Sequence, residues 1–150
     1  MNHFTIRRSL DAPVDRVWEI VGNPAASPGL GVDVRVEKPG AADGTGLIRV
    51  VKVGRTTAHE EITAVGPGRA IRYRLLKGAP VRDYTSGVAL EEPPEGGTLV
   101  SWDARFRPIV PGTGWVVSLM SKHTLNRVLD ALAARTQGET GDHHDRIQGG

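Results

Sequence analysis

The alternation of apolar and polar residues is the feature that most constrains how this chain can fold. Successive side chains of an extended strand point to opposite faces, so a period of two indicates a strand with one buried face and one solvated face. In the segment His3–Leu10, Phe4 and Ile6 alternate with Thr5 and Arg7. Strands are also predicted for six later segments, which are 32–37, 47–53, 56–65, 70–77, 84–92 and 98–107. The sequence therefore predicts about seven strands.

Two segments have helical periodicity instead. Apolar residues of the segment 12–21 recur at the i, i+3, i+4, i+7 spacing of one helix face, and the Gly-Asn-Pro sequence at 22–24 ends this short helix. Trp115–Arg135 is the longest helical candidate, and Gly138 is predicted to stop it. Residues 136–150 contain one large apolar residue and are predicted to form a disordered tail.

The order of these elements predicts an α+β fold. A strand and a short helix precede six antiparallel strands, and one long helix follows them. An antiparallel sheet of this kind has one apolar face, and the C-terminal helix is the only element long enough to cover it. A curved sheet wrapped around one helix leaves space between them, and that space is the expected ligand site.

Composition excludes several classes of protein. The chain has no cysteine, which rules out disulfides, thiolate nucleophiles and cysteine-ligated metals. Its net charge is only +2 and its basic residues are not clustered, so nucleic-acid binding is not expected. The longest uncharged runs, 20–32 and 108–121, are shorter than the roughly 18 apolar residues of a membrane span. A cytoplasmic protein with no membrane span is predicted.

Four segments carry a resemblance to a known superfamily. They are APVDRVWEIV (12–21), HEEITAVGPGRAIRYRL (59–75), APVRDYTSGVAL (79–90), and GGTLVSWDARFRP (96–108) followed by GTGW and the long helix. Together they resemble the START-like, birch-pollen-allergen-type helix-grip superfamily, also called SRPBCC. Within it the chain looks closest to the bacterial polyketide cyclase/dehydrase-like and MxaD-like proteins. The resemblance covers about residues 2–135 and implies a helix-grip domain, with the curved sheet wrapped around the long C-terminal helix.

The resemblance implies a fold more strongly than an activity. Its members include cyclases, lipid carriers, hormone receptors and regulators of chaperone ATPases, and a shared fold does not fix function. The cyclases share no single strict catalytic motif, so no catalytic triad can be transferred to this chain. No metal and no organic cofactor is implied.

Glu60 is the strongest candidate for a catalytic residue. Its phase in the strand 56–65 matches Ala58, Ile62 and Ala64, which points it towards the apolar face. A carboxylate in an apolar cavity has a raised pKa, which suits removal of a proton next to a carbonyl group. Two other interpretations stay open: Glu60 pairs with an arginine, or a bulge shifts the phase so that His59 or Glu61 faces inwards.

Other candidates would line the cavity. The aromatic and hydroxyl side chains of Tyr73, Tyr84, Ser86 and Trp102 lie on the predicted inner faces of three strands, where they can stack on a flat ligand and bind its polar groups. Tyr84 is also a second candidate for moving protons. Phe106 shares the inner face of the last strand with Trp102, and the two either line the cavity or fill it. From the helix side, the expected lining residues are Val117 and Met120, with Leu125 and Trp115.

Arginine and histidine residues provide weaker candidates. Arg82 could hold a carboxylate or phosphate at the cavity mouth, although a solvated surface residue is the alternative. His59 and His123 have no orienting partner that the sequence identifies. The GDHHD sequence at 141–145 lies in the predicted tail, so no metal site is predicted.

The sequence therefore predicts a cavity that binds a hydrophobic or aromatic small molecule, with cyclisation or dehydration of a polyketide as the expected reaction. One alternative is a non-catalytic carrier or sensor of hydrophobic ligands. A second is a protein-interaction module that resembles the chaperone-ATPase regulators. Whether the chain forms a homodimer stays open.

Overall fold

Seven strands and two helices make up the fold. The computed structural model describes residues 2–29, 31–66 and 68–149, with side chains as far as Thr136. The elements in chain order are β1 (Asn2–Leu10), α1 (Val14–Val21), β2 (Val32–Lys38), β3 (Ile48–Val53), β4 (Thr56–Gly66), β5 (Ala70–Lys77), β6 (Val81–Glu91), β7 (Thr98–Pro108) and α2 (Gly114–Gly149).

The strands form a single antiparallel sheet in the order β1-β7-β6-β5-β4-β3-β2. Strands β2 to β7 are consecutive neighbours, whereas β1 pairs with β7 at the far edge. The chain therefore crosses from one edge of the sheet to the other between β1 and β2, and α1 lies in this connection. This arrangement confirms the predicted helix-grip fold.

Helix α1 ends where its sequence predicts but begins two residues after the start of the predicted segment 12–21. Pro13 precedes its first residue with an extended backbone, and Asp15 lies in the first turn, where the helix dipole favours an acid. Its buried residues are Val14, Val17 and Ile20, whereas Trp18 and Val21, which share the predicted apolar face with Val14 and Val17, are half-buried. The helix ends at Val21.

Helix α2 covers the inner face of the sheet. Its buried side chains are Val117, Leu125, Val128, Leu129, Leu132 and Thr136. The helix continues to Gly149, past the predicted stop at Gly138, because a glycine inside a helix costs only about 1 kcal/mol and does not by itself end it. The predicted tail at 136–150, Thr136 excepted, and its GDHHD sequence lie outside the residues whose side chains are described. Over the part of the chain that the structure describes, neither helix is both long and apolar enough to cross a membrane.

The strand pairing is irregular between β4 and β5 and between β6 and β7. The register shifts between His59 and Glu60, between Ile62 and Ala64, and between Arg82 and Thr85. As a result Ala64 is exposed, although its phase predicts that it faces inwards with Glu60. Strand β6 also begins at Val81, three residues before its predicted start.

Candidate functional site

Two cavities lie between the sheet and α2. The inner cavity has a volume of about 110 Å³ and is enclosed mainly by aliphatic side chains of α1, β2, β3, β6, β7 and α2. The outer cavity, of about 370 Å³, is bounded by residues 78–80, by the β7–α2 loop and by the first half of α2. Four residues line both cavities: Glu60, Tyr73, Thr124 and Leu125. We call this shared wall the waist.

Glu60 is buried at the waist and forms an ion pair with Arg49. Arg49 Nε donates a hydrogen bond of 3.0 Å to Glu60 Oε1, and Arg49 Nη1 donates one of 3.1 Å to the carbonyl oxygen of Pro24. Only 14% of the Arg49 side chain and 12% of the Glu60 side chain are exposed. Two interpretations of Glu60 therefore hold together, because the residue faces the cavity and is also paired with an arginine.

The second oxygen of Glu60 is not fully enclosed by protein atoms. No described side chain donates a hydrogen bond to Oε2, while every fully buried side-chain nitrogen or oxygen among the described residues has a partner. Oε2 is therefore accessible from the cavity. Burial raises the pKa of Glu60, and the charge and hydrogen bond of Arg49 oppose that rise.

Two tyrosines flank the carboxylate. The pKa of Tyr73 lies well above its usual value because the side chain is buried and the charge of Glu60 disfavours a phenolate. Burial, with the same charge of Glu60, raises the pKa of Tyr84 to about 12. Both hydroxyl groups therefore stay protonated near neutral pH and can serve as hydrogen-bond donors.

Trp102 holds Tyr73 in place through a buried hydrogen-bond network. Its indole Nε1 donates to Tyr73 Oη at 2.7 Å and to Ser86 Oγ at 2.8 Å, and Ser86 Oγ donates to the carbonyl oxygen of Asp103 at 2.7 Å. The Trp102 and Tyr73 rings meet edge to face, with centroids 6.4 Å apart. On the other side, the guanidinium carbon of Arg49 lies 5.4 Å from the Tyr73 ring centroid. Tyr73 is therefore fixed from both sides.

Tyr84 is supported by Phe106. Their rings stack with centroids 5.8 Å apart, and Phe4 meets the Phe106 ring edge-on at 6.5 Å. Phe106 is fully buried and lines neither cavity. It fills space behind Tyr84, which is one of the two roles predicted for it.

The structure brings most of the predicted site residues to the cavities. Tyr73 and Trp102 line the inner cavity, and the outer cavity is lined by Tyr73, Tyr84, Val117 and Met120. Ser86 lines neither and belongs to the network behind Tyr73. Met120 lies at the mouth, with 67% of its surface exposed, and Trp115 is 69% exposed outside both cavities.

Arg82 lines neither cavity. Simple alternation would put Arg82 on the same face as Tyr84, but the bulge between Arg82 and Thr85 breaks that alternation. Asp83, within the bulge, has φ = +54°, which short polar residues tolerate better than most. Tyr84 consequently faces inwards while Arg82 is exposed opposite Arg107.

Arg49 is the site residue that sequence reasoning missed. Strand β3 has apolar residues in both phases, so its inner face cannot be chosen from the sequence. The cross-strand register of β3 and β4 would have identified Arg49, because Arg49 lies directly opposite Glu60. An arginine on the strand next to an inward-facing glutamate is the partner that a buried carboxylate requires.

The arrangement suits proton transfer and hydrogen bonding. A carboxylate with a raised pKa, two protonated phenols and a guanidinium surround the waist, and aliphatic walls extend on both sides of it. Of the two candidate histidines, His59 pairs with Glu37 and His123 is exposed, and neither lines a cavity. Among the described residues, no group of three His, Asp or Glu side chains is placed to hold a metal ion.

Comparisons with known proteins agree with this architecture. Several solved structures have the same fold at low sequence identity. The protein XoxI from Bacillus cereus superimposes with a TM-score of 0.75 at 19% identity, over 91% of this chain and 96% of that one. A START superfamily protein from Mycobacterium smegmatis gives 0.74 at 14% identity, over 91% and 97% of the two chains. Norcoclaurine synthase from Thalictrum flavum, in complex with dopamine and hydroxybenzaldehyde, gives 0.70 at 14% identity, over 91% and 87%.

The family is shown by sequence as well as by fold. A comparison with curated proteins gave no match. The sequence model of the family described as "Polyketide cyclase / dehydrase and lipid transport" matches residues 1–137, which is most of the chain. The predicted SRPBCC/START-like relationship is confirmed, and the chain belongs to the polyketide cyclase/dehydrase and lipid transport family.

Proposed function

We propose that this protein binds a hydrophobic or aromatic small molecule across the two cavities and that Glu60 acts on it as a general base. The observation that carries the proposal is a buried carboxylate at the waist, with a raised pKa and one oxygen open to the cavity. Family membership supports the hydrophobic ligand. The acid–base role is supported by the side chains around the waist.

The volumes favour one way of placing a ligand. Small-molecule pockets commonly measure about 300–1,000 Å³, so the outer cavity is large enough for a ligand body and the inner cavity is not. A ligand in the outer cavity would reach Glu60 and extend a small apolar group past the waist. Its reactive carbon would then lie beside the carboxylate.

The reaction that fits these groups is an intramolecular condensation of a carbonyl compound. Glu60 removes the proton from a carbon next to one carbonyl, and that carbon forms a bond with a second carbonyl carbon of the same molecule. The new alkoxide takes a proton from Tyr84, a neutral donor in the outer cavity. The Tyr84 phenolate then removes a second proton from the same carbon, and the protonated Glu60 gives its proton to the departing hydroxyl group, which leaves as water and restores both side chains. The charge and the hydrogen bond of Arg49 oppose the rise in the pKa of Glu60 and so favour the carboxylate form that accepts the proton.

The test compares two adjacent glutamates. Glu60→Gln removes the proposed base, whereas Glu61→Gln alters the neighbouring residue, which pairs with Arg74 on the outer face. With a diketone that cyclises with loss of water as the probe, Glu60→Gln should lower turnover by at least about 100-fold, and Glu61→Gln should leave it unchanged. Both variants should still bind a neutral apolar fluorophore. Equal turnover by Glu60→Gln and the unsubstituted protein would contradict the proposed catalysis.

A second candidate function is a non-catalytic carrier. Its supporting observation is that Glu60 is already paired with Arg49, while the inner cavity has mostly aliphatic walls. A carrier predicts no turnover and a bound apolar compound detectable by native mass spectrometry of the purified protein. Val117→Trp, which narrows the outer cavity, should then block uptake while Glu60→Gln has little effect.

A further inference from the structure

Exposed apolar side chains are concentrated beside the outer cavity, in the β7–α2 loop and at the start of α2. We define the mouth patch as Ile109, Val110, Trp115, Val116, Leu119 and Met120, all of which are exposed. Two of them lie in the β7–α2 loop, and the other four form a stripe along the first two turns of α2. Most of the large exposed apolar residues of the described chain are in this patch. Contiguous apolar surface of this kind marks a docking site.

The surroundings of the mouth patch are basic. The segments 76–82 and 105–123, which frame the mouth, contain no Asp or Glu. Their Lys and Arg residues, which we call the basic rim, are Lys77, Arg82, Arg105, Arg107 and Lys122. None of these five cations forms an ion pair with a described residue, and Asp83, the nearest acid along the chain, pairs with none of them. Two exposed arginines nearer the centre of the sheet differ, because Arg72 pairs with Asp103 and Arg74 pairs with Glu61.

Arg82 and Arg107 add a second observation. They lie directly opposite each other on β6 and β7, and like charges in that position destabilise a sheet. An anion bound between the two guanidinium groups would remove the repulsion, and a phosphate suits arginine well. The hydrogen bond from Ile109 N–H to the Pro80 carbonyl oxygen joins the loops that follow and precede these two strands. The arginine pair is therefore adjacent to the mouth patch.

We propose that the mouth patch and its basic rim dock on an anionic lipid bilayer. Aliphatic side chains and a tryptophan next to lysine and arginine are the composition of helices that lie in the membrane interface. Tryptophan prefers that interface because its ring is apolar and its N–H is polar. A second copy of this chain fits less well, because it would bring two acid-free basic rims together. Val110, Val116 and Met120 belong to both the patch and the outer cavity, so docking turns the mouth towards the bilayer.

The test is flotation with vesicles of phosphatidylcholine alone and of phosphatidylcholine mixed with phosphatidylglycerol. The protein should float with the mixed vesicles at about 0.05 M salt and be released at about 0.5 M, because salt screens the charges. Arg82→Gln/Arg107→Gln should lower the partition coefficient about 30-fold. The control Arg35→Gln/Arg69→Gln removes two exposed arginines away from the mouth, Arg69 lying at the opposite end of β5, and should leave partitioning nearly unchanged.

Insertion of the patch is tested separately. Trp115→Ser/Leu119→Ser should reduce binding to mixed vesicles without changing the fold, since both side chains are exposed and neither lines a cavity. Three results would overturn the proposal: no flotation with mixed vesicles at low salt, an equal loss in the control pair, or a dimer in sedimentation that Trp115→Ser/Leu119→Ser dissociates. The last would assign the patch to self-association. None of these measurements depends on the ligand of the cavity.

Discussion

Removal of the arginine from the buried ion pair should destabilise the protein in a pH-dependent way. Arg49→Met keeps an unbranched apolar stem but leaves Glu60 buried without a cation. Removing one partner of a fully buried pair costs about 3–5 kcal/mol. With 14% and 12% of the two side chains exposed, we expect the lower end of that range, about 3 kcal/mol at neutral pH.

The pH dependence follows from the direction of the Glu60 shift. Its pKa in the folded protein is above the ordinary value of 4.5, so folding takes up a proton between the two values. Stability is then highest below the unfolded pKa and decreases as the pH rises through the folded pKa. Arg49→Met raises the folded pKa further. The cost of Arg49→Met should therefore be smaller at lower pH, and it should approach about 1 kcal/mol, for the lost hydrogen bond to Pro24, as the carboxyl group of Glu60 becomes protonated.

Urea denaturation followed by circular dichroism at about pH 5 and about pH 8 measures both costs. The control is Arg74→Met, which breaks the exposed ion pair with Glu61 one register position away and should cost less than about 1 kcal/mol at either pH. Arg49→Met/Glu60→Gln should regain most of the stability at pH 8. If Arg49→Met costs no more than Arg74→Met, or if the double variant is no more stable, burial of the carboxylate is not the cause.

Three further predictions concern the residues around the waist. Trp102→Phe removes the N–H that binds Tyr73 and Ser86 and should lower the free energy of unfolding by about 2 kcal/mol, measured in urea. Asp83→Val should cost about 1–2 kcal/mol because a branched side chain is strained at positive φ, whereas Asp83→Gly should retain or raise the melting temperature. Tyr73 and Tyr84 are the only tyrosines of the chain, and both pKa values are raised. Little phenolate absorbance should therefore appear near pH 10 until the protein unfolds.

Most of the fold could be predicted because apolar periodicity is a direct consequence of burial. The strands 70–77 and 98–107 were predicted within one residue, since most of their inner residues are apolar and several of their outer residues are charged. The end of α2 could not be predicted in this way. A glycine is a weak signal when the helix on its N-terminal side is already held by packing, as it is at Leu132.

The candidate site was predictable where a polar residue stands out on an apolar face. Glu60, Tyr73 and Tyr84 do so, and the structure places all three around the waist. Ser86 and Trp102 were found by the same reasoning, but the sequence does not show that they bind each other rather than face a ligand. Arg49 was missed because apolar neighbours occupy both phases of its strand.

The wrong expectation for Arg82 has its physical origin in a bulge. Alternation assumes an unbroken register, and the register shifts beside Glu60 and beside Tyr84. An extra residue re-aims the side chain next to it, so the inward Tyr84 and the outward Arg82 can be two residues apart. The positive φ of Asp83 adds backbone strain at this point, which the packing of Tyr84 on Phe106 must offset. The polar groups of the waist thus lie where the sheet departs from regular geometry, and a regular sheet with the same residues would not bring Tyr84 to the cavity while leaving Arg82 at the mouth.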